Sequence, residues 1–414
     1  MTLALSNTLC DNICMNYNKV DHITSKKKKD PRVGWVYGGS LDKLDAATWL
    51  VPVQVMRDSG WQVTLIAAGD PQEHDVRGVD VVHVSRPDVF LLRQVIFHLR
   101  VLNFLSRQLD EIDVLLFHEA SSPWLLVFRM FLRLVGKKNL LFVMDTRTLP
   151  MEPEDKATWK DRMRSKFSFQ MNKLANRFFD GRTTITRRMA ESLGVPSDKL
   201  WGVWHSGVEV DVFTNAVQAR SFPQLEEPIN IIYIGCMHHE RNLLTLSKAV
   251  TQANTNGHIF TLTIVGDGNA RTELEEYAEK EGRHINIFPP VPHEEIPEWL
   301  SRAHVGALPF PDEEKFRVSS PIKLFEYLAA GLPILATRIV CHTDVIETDG
   351  VAFWADDADQ EGLFDALMQI KEHRENLKVM GKEAAELAAK WTWQSSADNL
   401  KQALEYGITE EKAS

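Results

Sequence analysis

The sequence predicts an α/β protein of two Rossmann-like, doubly wound parallel sheets whose loops face a central cleft. Three observations carry this. Apolar runs of strand length alternate with helical runs along most of the chain, and the alternation restarts near residue 229. The third is length: 414 residues are too many for one core and suit two or three at roughly 100–200 residues each. Such alternation implies parallel strands covered by helices on both faces.

Residues 1–30 show no apolar periodicity and end in the basic run "KKKKD", so they are expected to form a flexible, solvated tail. Order is expected from "RVGWVYGG", a strand entering a turn at Gly38 and Gly39. "LDAATWLVPVQVMRDSG" reads as a helix, and "WQVTLIAAG" and "VDVVHVSRP" as strands. A long helical run, "VFLLRQVIFHLRVLNFLSRQL", leads to the strand "DVLLFHEA"; the helix "PWLLVFRMFLRLVG" leads to the strand "NLLFVMDTRT". Residues 150–176 are polar and basic, and "GRTTIT", "RRMAESLG" and "LWGVWHSGV" follow as strand, short helix and strand. "VFTNAVQARSFPQLEEP" reads as a linker.

The second series opens with "INIIYIG" and continues through "FTLTIVGDG", "INIFPPV", "HVGALPF" and "SSPIKLFEYLAAGLPILAT". Helical runs stand between these strands, and a last helix is expected from Ser395 to about Glu405. The expected division is a tail at 1–30, a first domain at 31–213, a second at 214–390, and a terminal helix at 391–414 crossing back to the first domain. In open α/β sheets ligands sit beyond the carboxyl ends of the strands, so both domains aim their loops at the cleft.

Composition bounds the class. Hydrophobic residues make up 44% and charged residues 25%, the balance of a water-soluble globular chain. No run of about 18 uncharged apolar residues is present, so no spanning helix is expected, and the first residues lack the pattern of a secretory signal. Cysteines at 10, 14, 236 and 341 suit free thiols in a reducing cytoplasm, the expected location. The net charge of −10 hides an asymmetry: residues 1–200 hold 29 Lys and Arg against 23 Asp and Glu, the remainder 18 against 34. The first half is therefore the one able to face something anionic.

The chemistry concentrates in "VSSPIKLFEY". Ser320 is expected to cap a helix with Pro321 at its first position, leaving the amides of Ile322 and Lys323 as donors at a positive helix end. Lys323 adds a cation, and Glu326 one turn on can accept a ribose diol. In "IIYIGCMHHERNL", Gly235 ends a strand and Arg241 precedes a helix, placed to hold a diphosphate. Gly266 and Gly268 follow another strand, where the backbone can approach a flat ring or simply turn. "VGDG" is no complete dinucleotide fingerprint, which weakens a nicotinamide oxidoreductase reading.

Together these stretches resemble the sugar-nucleotide half of family-four glycosyltransferases, which have the two-domain GT-B fold. The resemblance runs from about residue 33 to 405 and is strongest from 229 to 340. It implies that Glu326, followed by "YLAAGLPILAT", serves the donor ribose, and that the preceding amides serve the diphosphate. The family's first glutamate falls at Val318, and its arginine after the strand glycine falls at Cys236. "HSGVEVDVF" resembles the Asn-Gly-Val-Asp stretch before the interdomain linker, with Ser206 for Asn. Gly38 and Gly39 match the glycine-rich first loop, His118 matches a strand-end histidine, and a second histidine falls near Arg147. Asp145 is placed to hold Arg147 or a hydroxyl.

What the resemblance implies is hexosyl transfer from a UDP-, GDP- or ADP-sugar to a hydroxyl of a glycan or lipid-linked acceptor in polysaccharide biosynthesis, with retention at the anomeric carbon. The catalytic residues would be His118, Arg241 and Glu326. This reading takes no strand to end in an Asp-x-Asp metal pair and leaves charge neutralisation to the helix amides and Arg241, with no cofactor and no metal. The alternative is a non-catalytic nucleotide-sugar or glycan-binding subunit, which the missing glutamate and histidine would suit. Nucleic acid is not an expected partner. Arg93, Arg100 and Arg107, with Arg129 and Arg133, stripe two apolar helices; these either pack on the sheet or, with the basic segment 156–188, give peripheral contact with the inner face of a membrane.

Overall fold

The computed structural model of the protein describes residues 31–41, 47–72, 75–76, 78–137, 139–149, 158–255, 257, 259–281, 284–347 and 349–413. The expected basic tail at 1–30 lies outside them. The first sheet contains β1 (Arg32–Ser40), β2 (Gln62–Ala68), β3 (Asp75–Val76), β4 (Val79–Val84), β5 (Val114–Phe117), β6 (Leu141–Thr146), β7 (Gly181–Thr184) and β8 (Leu200–Val203), in the order β3-β4-β2-β1-β5-β6-β7-β8. All neighbours are parallel except the short β3–β4 pair.

The second sheet is wholly parallel: β9 (Ile229–Ile234), β10 (Phe260–Val265), β11 (Ile285–Phe288), β12 (Val305–Leu308), β13 (Ile334–Thr337) and β14 (Ala352–Ala355), ordered β11-β10-β9-β12-β13-β14. Each sheet reverses its winding once, between β1 and β5 in the first and between β9 and β12 in the second. These are the places where a doubly wound sheet opens a crevice for ligand.

Most strands formed where the sequence pattern put them because they are nearly uninterrupted apolar runs; β3 and β14 are not among the expected ones. Ile229, Ile231, Ile232 and Tyr233 of β9 are all buried, and full burial of each aliphatic side chain stabilises by about 1.5–3 kcal/mol. Two other segments depart from expectation. β1 continues through Ser40 with a register irregularity between Tyr37 and Ser40, so Gly38 and Gly39 belong to a strand and not to a turn; the Gly38 carbonyl accepts a 2.6 Å bond from Arg86. The expected linker holds a helix, Val210–Ala219.

That helix is held by Phe213 and Ala216 and by Arg220 directly after it. The Arg220 guanidinium donates to the carbonyls of Leu300, Ala303, Ala330 and Gly331 at 2.6–2.8 Å. It thereby satisfies the carboxyl end of helix Ile322–Ala329, where a cation is favoured. At the other end of the chain, helix Trp393–Ala413 packs Ala397, Leu400, Ala403 and Leu404 into the core of the first sheet beside Trp201 and Trp204. Both lobes belong to one compact unit.

Candidate functional site

In the second lobe, the carboxyl ends of β9 and β12 meet the amino end of helix Ile322–Ala329. Tyr327 on this helix is buried, and its hydroxyl accepts a 2.9 Å bond from the Ile234 amide, fixing helix against strand. Gly235 follows with φ +137°, and a Cβ there would collide with Cε and Nζ of Lys323. Glycine at this position therefore makes the space into which the lysine reaches back across the strand end. The ammonium lies 5.6 Å from the centre of the Tyr233 ring. Desolvation, reinforced by the Arg241 charge, pushes its pKa down to about 8.

Arg241 closes a short 3-10 turn, His239–Arg241, before helix Leu243–Ala253. Asn242, left-handed at φ 61°, anchors the turn by donating to the carbonyls of Pro309 and Ala358 at 3.0 and 2.5 Å. The guanidinium stands 5.0 and 5.2 Å from the ring centres of Phe310 and Phe316. Its Nε is buried without a hydrogen-bond partner. Among the described residues, neither Arg241 nor Lys323 forms an ion pair with a carboxylate. Two cations close enough to depress a pKa, held on aromatic faces and with no ion-pair partner among the described residues, make a site for an anion.

The helix start corrects the expected capping. Pro321 is the N-cap, and Ser320 is engaged elsewhere: its Oγ accepts 3.1 Å from the Ser206 amide, and its carbonyl accepts 2.8 Å from the Ser206 hydroxyl. Ser320 thus ties the two lobes together. The glycines after β10 are also structural. At Gly266 (φ +149°) a Cβ would strike the Gly235 carbonyl, and at Gly268 the Met237 carbonyl. They are glycine because they admit a neighbouring backbone.

Glu326 is buried and accepts a 3.1 Å bond from Nε2 of His293, which the sequence reading missed. Beside the pair, Thr48, Gly207, Glu209, Ile322 and Trp393 help line a cavity of 30 Å³, room for a water or two. Val318, at the position of the family's first glutamate, is buried with Ile185, Met189 and Leu193 of the first lobe. Its carbonyl accepts 2.8 Å from Thr186, Ser192 donates 2.5 Å to Glu314, and Arg188 pairs with Asp344. This position has become an apolar contact between lobes.

In the first lobe, His118 follows β5 and approaches Asp145 at the end of β6, with Nδ1 to Oδ2 at 3.9 Å. Asp145 does not hold Arg147. Its Oδ1 accepts from Thr183 Oγ1 at 2.7 Å and Trp204 Nε1 at 2.8 Å, while Arg147 lies 3.6 Å over the Trp204 ring and donates to that residue's carbonyl at 3.2 Å. Burial lowers the His118 pKa despite Asp145, keeping the ring neutral at pH 7, and it lowers Arg147 to about 10. Among the described residues Nε2 of His118 has no partner. Trp49 packs edge-on against the ring at 4.5 Å. The sequence already marks Asp145, whereas Trp204 and Trp49 escape the reading of the site because isolated aromatic residues form no periodic signal.

A cavity of 650 Å³ lies where the lobes face each other, lined by Ser165, Ser168, Phe169 and Gln170 on one side and Glu313 and Glu314 on the other. It adjoins the His118 region through Ser168, whose hydroxyl donates 2.8 Å to Glu119. One further correction concerns metal ligands: Asp357-Ala358-Asp359 does follow a strand, β14. Asp359, however, caps helix Gln360–Glu372 by accepting from the Gly362 amide at 2.8 Å, and the adjacent Asp356 faces Arg338 at 3.4 Å. No cluster of three or more His, Cys, Asp or Glu suited to a metal occurs among the described residues.

Residues 228–373 match the family described as glycosyl transferases group 1. An amylovoran biosynthesis glycosyltransferase of Erwinia amylovora is 23% identical over 185 residues, 44% of each chain. The curated relatives that the chain matches are thus covered over less than half of their own length. Solved structures align over almost the whole fold. A sucrose-phosphate synthase from Thermosynechococcus elongatus superposes with a TM-score of 0.70 at 15% identity, covering 93% of this chain and all of that one. Anabaena HepE in complex with UDP and glucose superposes at 0.66 and 13%, covering 91% and 99%. The chain has the GT-B architecture, and its second lobe is similar to the glycosyl transferases group 1 family.

Proposed function

We propose that the protein transfers a hexosyl group from a nucleoside-diphosphate sugar to a hydroxyl of a glycan or lipid-linked acceptor, with retention and without a metal. The observation that carries the reading is the pair Lys323 and Arg241: two cations that, among the described residues, form no ion pair with a carboxylate at the crevice of the second sheet. When the bond from the anomeric carbon to the diphosphate oxygen breaks, the electron pair stays with the diphosphate, and these cations meet the growing charge together with the amides of Ile322 and Lys323. That a structural neighbour holds UDP and glucose supports such a donor here.

In this reading Glu326 takes the donor ribose once His293 gives up its bond. The neutral His118, with Nε2 free, meets a sugar hydroxyl, and the 650 Å³ cavity with its carboxylates, amide and serines receives the acceptor glycan. A second reading, a nucleotide-sugar-binding subunit without turnover, is favoured by Val318, whose burial between lobes leaves no carboxylate at that position. A thermal-shift panel of UDP-, GDP- and ADP-sugars, followed by measurement of nucleotide release with and without glycan acceptors, separates them. Transfer predicts acceptor-dependent release of nucleoside diphosphate. Binding without release supports the second reading, and no binding rejects both.

A further inference from the structure

Three helices of the first lobe, Phe90–Arg107, Ser122–Leu134 and Trp159–Phe178, lie side by side on one face of the first sheet. Their inward residues, including Phe97, Val101, Leu125, Phe128 and Ala175, share one core cluster. Their outward sides are where a water-facing helix is normally polar. Here each carries an exposed apolar stripe at helical spacing: Leu92, Val95 and Leu99 on the first; Val127, Met130, Phe131 and Leu134 on the second; Trp159, Met163 and Phe167 on the third. Leu134 is 85% and Trp159 70% exposed. A contiguous patch spread over three helices marks an interaction surface.

Charge says what covers it. Within a chain of net charge −10, these three helices hold eleven Arg and Lys and a single carboxylate, Asp161. Asp161 is itself occupied in the capping box with Thr158. Arg129 is buried against Asp180 and Arg100 donates to Ser85, whereas Lys160, Arg162, Arg164, Lys166, Lys173 and Arg177 are all exposed. Apolar stripes interleaved with unopposed cations suit an anionic lipid surface. No described helix is long and apolar enough to span a bilayer. We infer that this three-helix face docks peripherally on anionic membranes, with Phe131, Leu134, Trp159 and Met163 entering the headgroup boundary and Lys160, Arg162 and Arg164 of helix Trp159–Phe178 facing the lipid phosphates.

Flotation of the full chain with phosphatidylcholine vesicles, with and without phosphatidylglycerol, tests this without any donor or acceptor. Wild type is expected to float with the anionic vesicles only, and added salt weakens the binding. Replacing Lys160, Arg162 and Arg164 together by Gln should lower the partition coefficient on the order of 100-fold, at about 1 kcal/mol per cation. F131S with L134S should abolish flotation while the thermal melt, followed by circular dichroism, stays put. Equal partition into neutral and anionic vesicles, or no flotation of wild type, overturns the inference. So does a wild-type dimer in sedimentation that the same serine variants dissociate, which would assign the face to a second copy of this chain.

Discussion

The crevices of the two sheets share a topology and differ in electrostatics. At the first, between β1 and β5, charge is balanced within the protein. Asp145 takes bonds from Thr183 and Trp204, Arg147 is spread over the Trp204 ring, and His118 is kept neutral by burial. At the second, between β9 and β12, Lys323 and Arg241 stand together on aromatic rings and, among the described residues, neither forms an ion pair with a carboxylate. The first suits uncharged hydroxyls and the second an anion. Under the proposed function, one architecture used twice separates the acceptor from the leaving group, and the difference rests on few residues.

The comparison breaks most completely at Gly235. In Gly235→Val the branched side chain occupies the space of the Lys323 ammonium, and φ +137° strains any residue with a Cβ. Removing one charge-assisted contact and misplacing the second should weaken nucleoside-diphosphate binding by at least about 100-fold, at about 1.5–3 kcal/mol for each such bond. Calorimetric titration reads this directly; unchanged affinity would mean that the lysine's position is irrelevant to the ligand.

A pH series sharpens the same contrast. The free Lys323 has a pKa of about 8 and an anion binds its protonated form, so diphosphate affinity should fall by up to about tenfold per pH unit above 8, while nucleoside affinity stays flat. The sign for stability is opposite. Because the folded pKa lies below the unfolded 10.5, the unfolded chain binds more protons between about 8 and 10.5, and Lys323 contributes rising stability of the unliganded protein across that window. At the other crevice, His118→Ala should lower kcat roughly tenfold, the loss of about one hydrogen bond, and leave donor affinity unchanged. The smallest effect is expected at Glu326→Ala, a severalfold loss of nucleotide affinity, since His293 must first be displaced. A larger loss for a nucleoside than for pyrophosphate would confirm that Glu326 serves the sugar end.

What was legible in the sequence follows from how each residue acts. Strands such as "INIIYI" were readable because burial on both faces leaves a continuous apolar run. Lys323 and Arg241 were readable because each stands next to a helix start after a strand, a local pattern. The helix Val210–Ala219 was read as linker because its anchor, Arg220, finds its four carbonyls 80 or more residues away. Gly266 gave the same local signal as a ligand-approaching glycine, and only the fold shows the Gly235 carbonyl filling its space. Ser320 looked like a cap from its neighbours, yet its bonds run to Ser206 across the lobes. His293 acts through a partner distant in sequence, Glu326, which no spacing rule reaches.

The most direct measurement is a titration of wild type, Lys323→Ala and Arg241→Ala with a nucleoside and its mono- and diphosphate, using the base that the thermal-shift panel selects. Wild type should bind the diphosphate far more tightly than the nucleoside. Each alanine variant should narrow that gap by about 10- to 100-fold while leaving the nucleoside affinity in place. A gap that persists undiminished in both variants would contradict the assignment of the two cations to the leaving group.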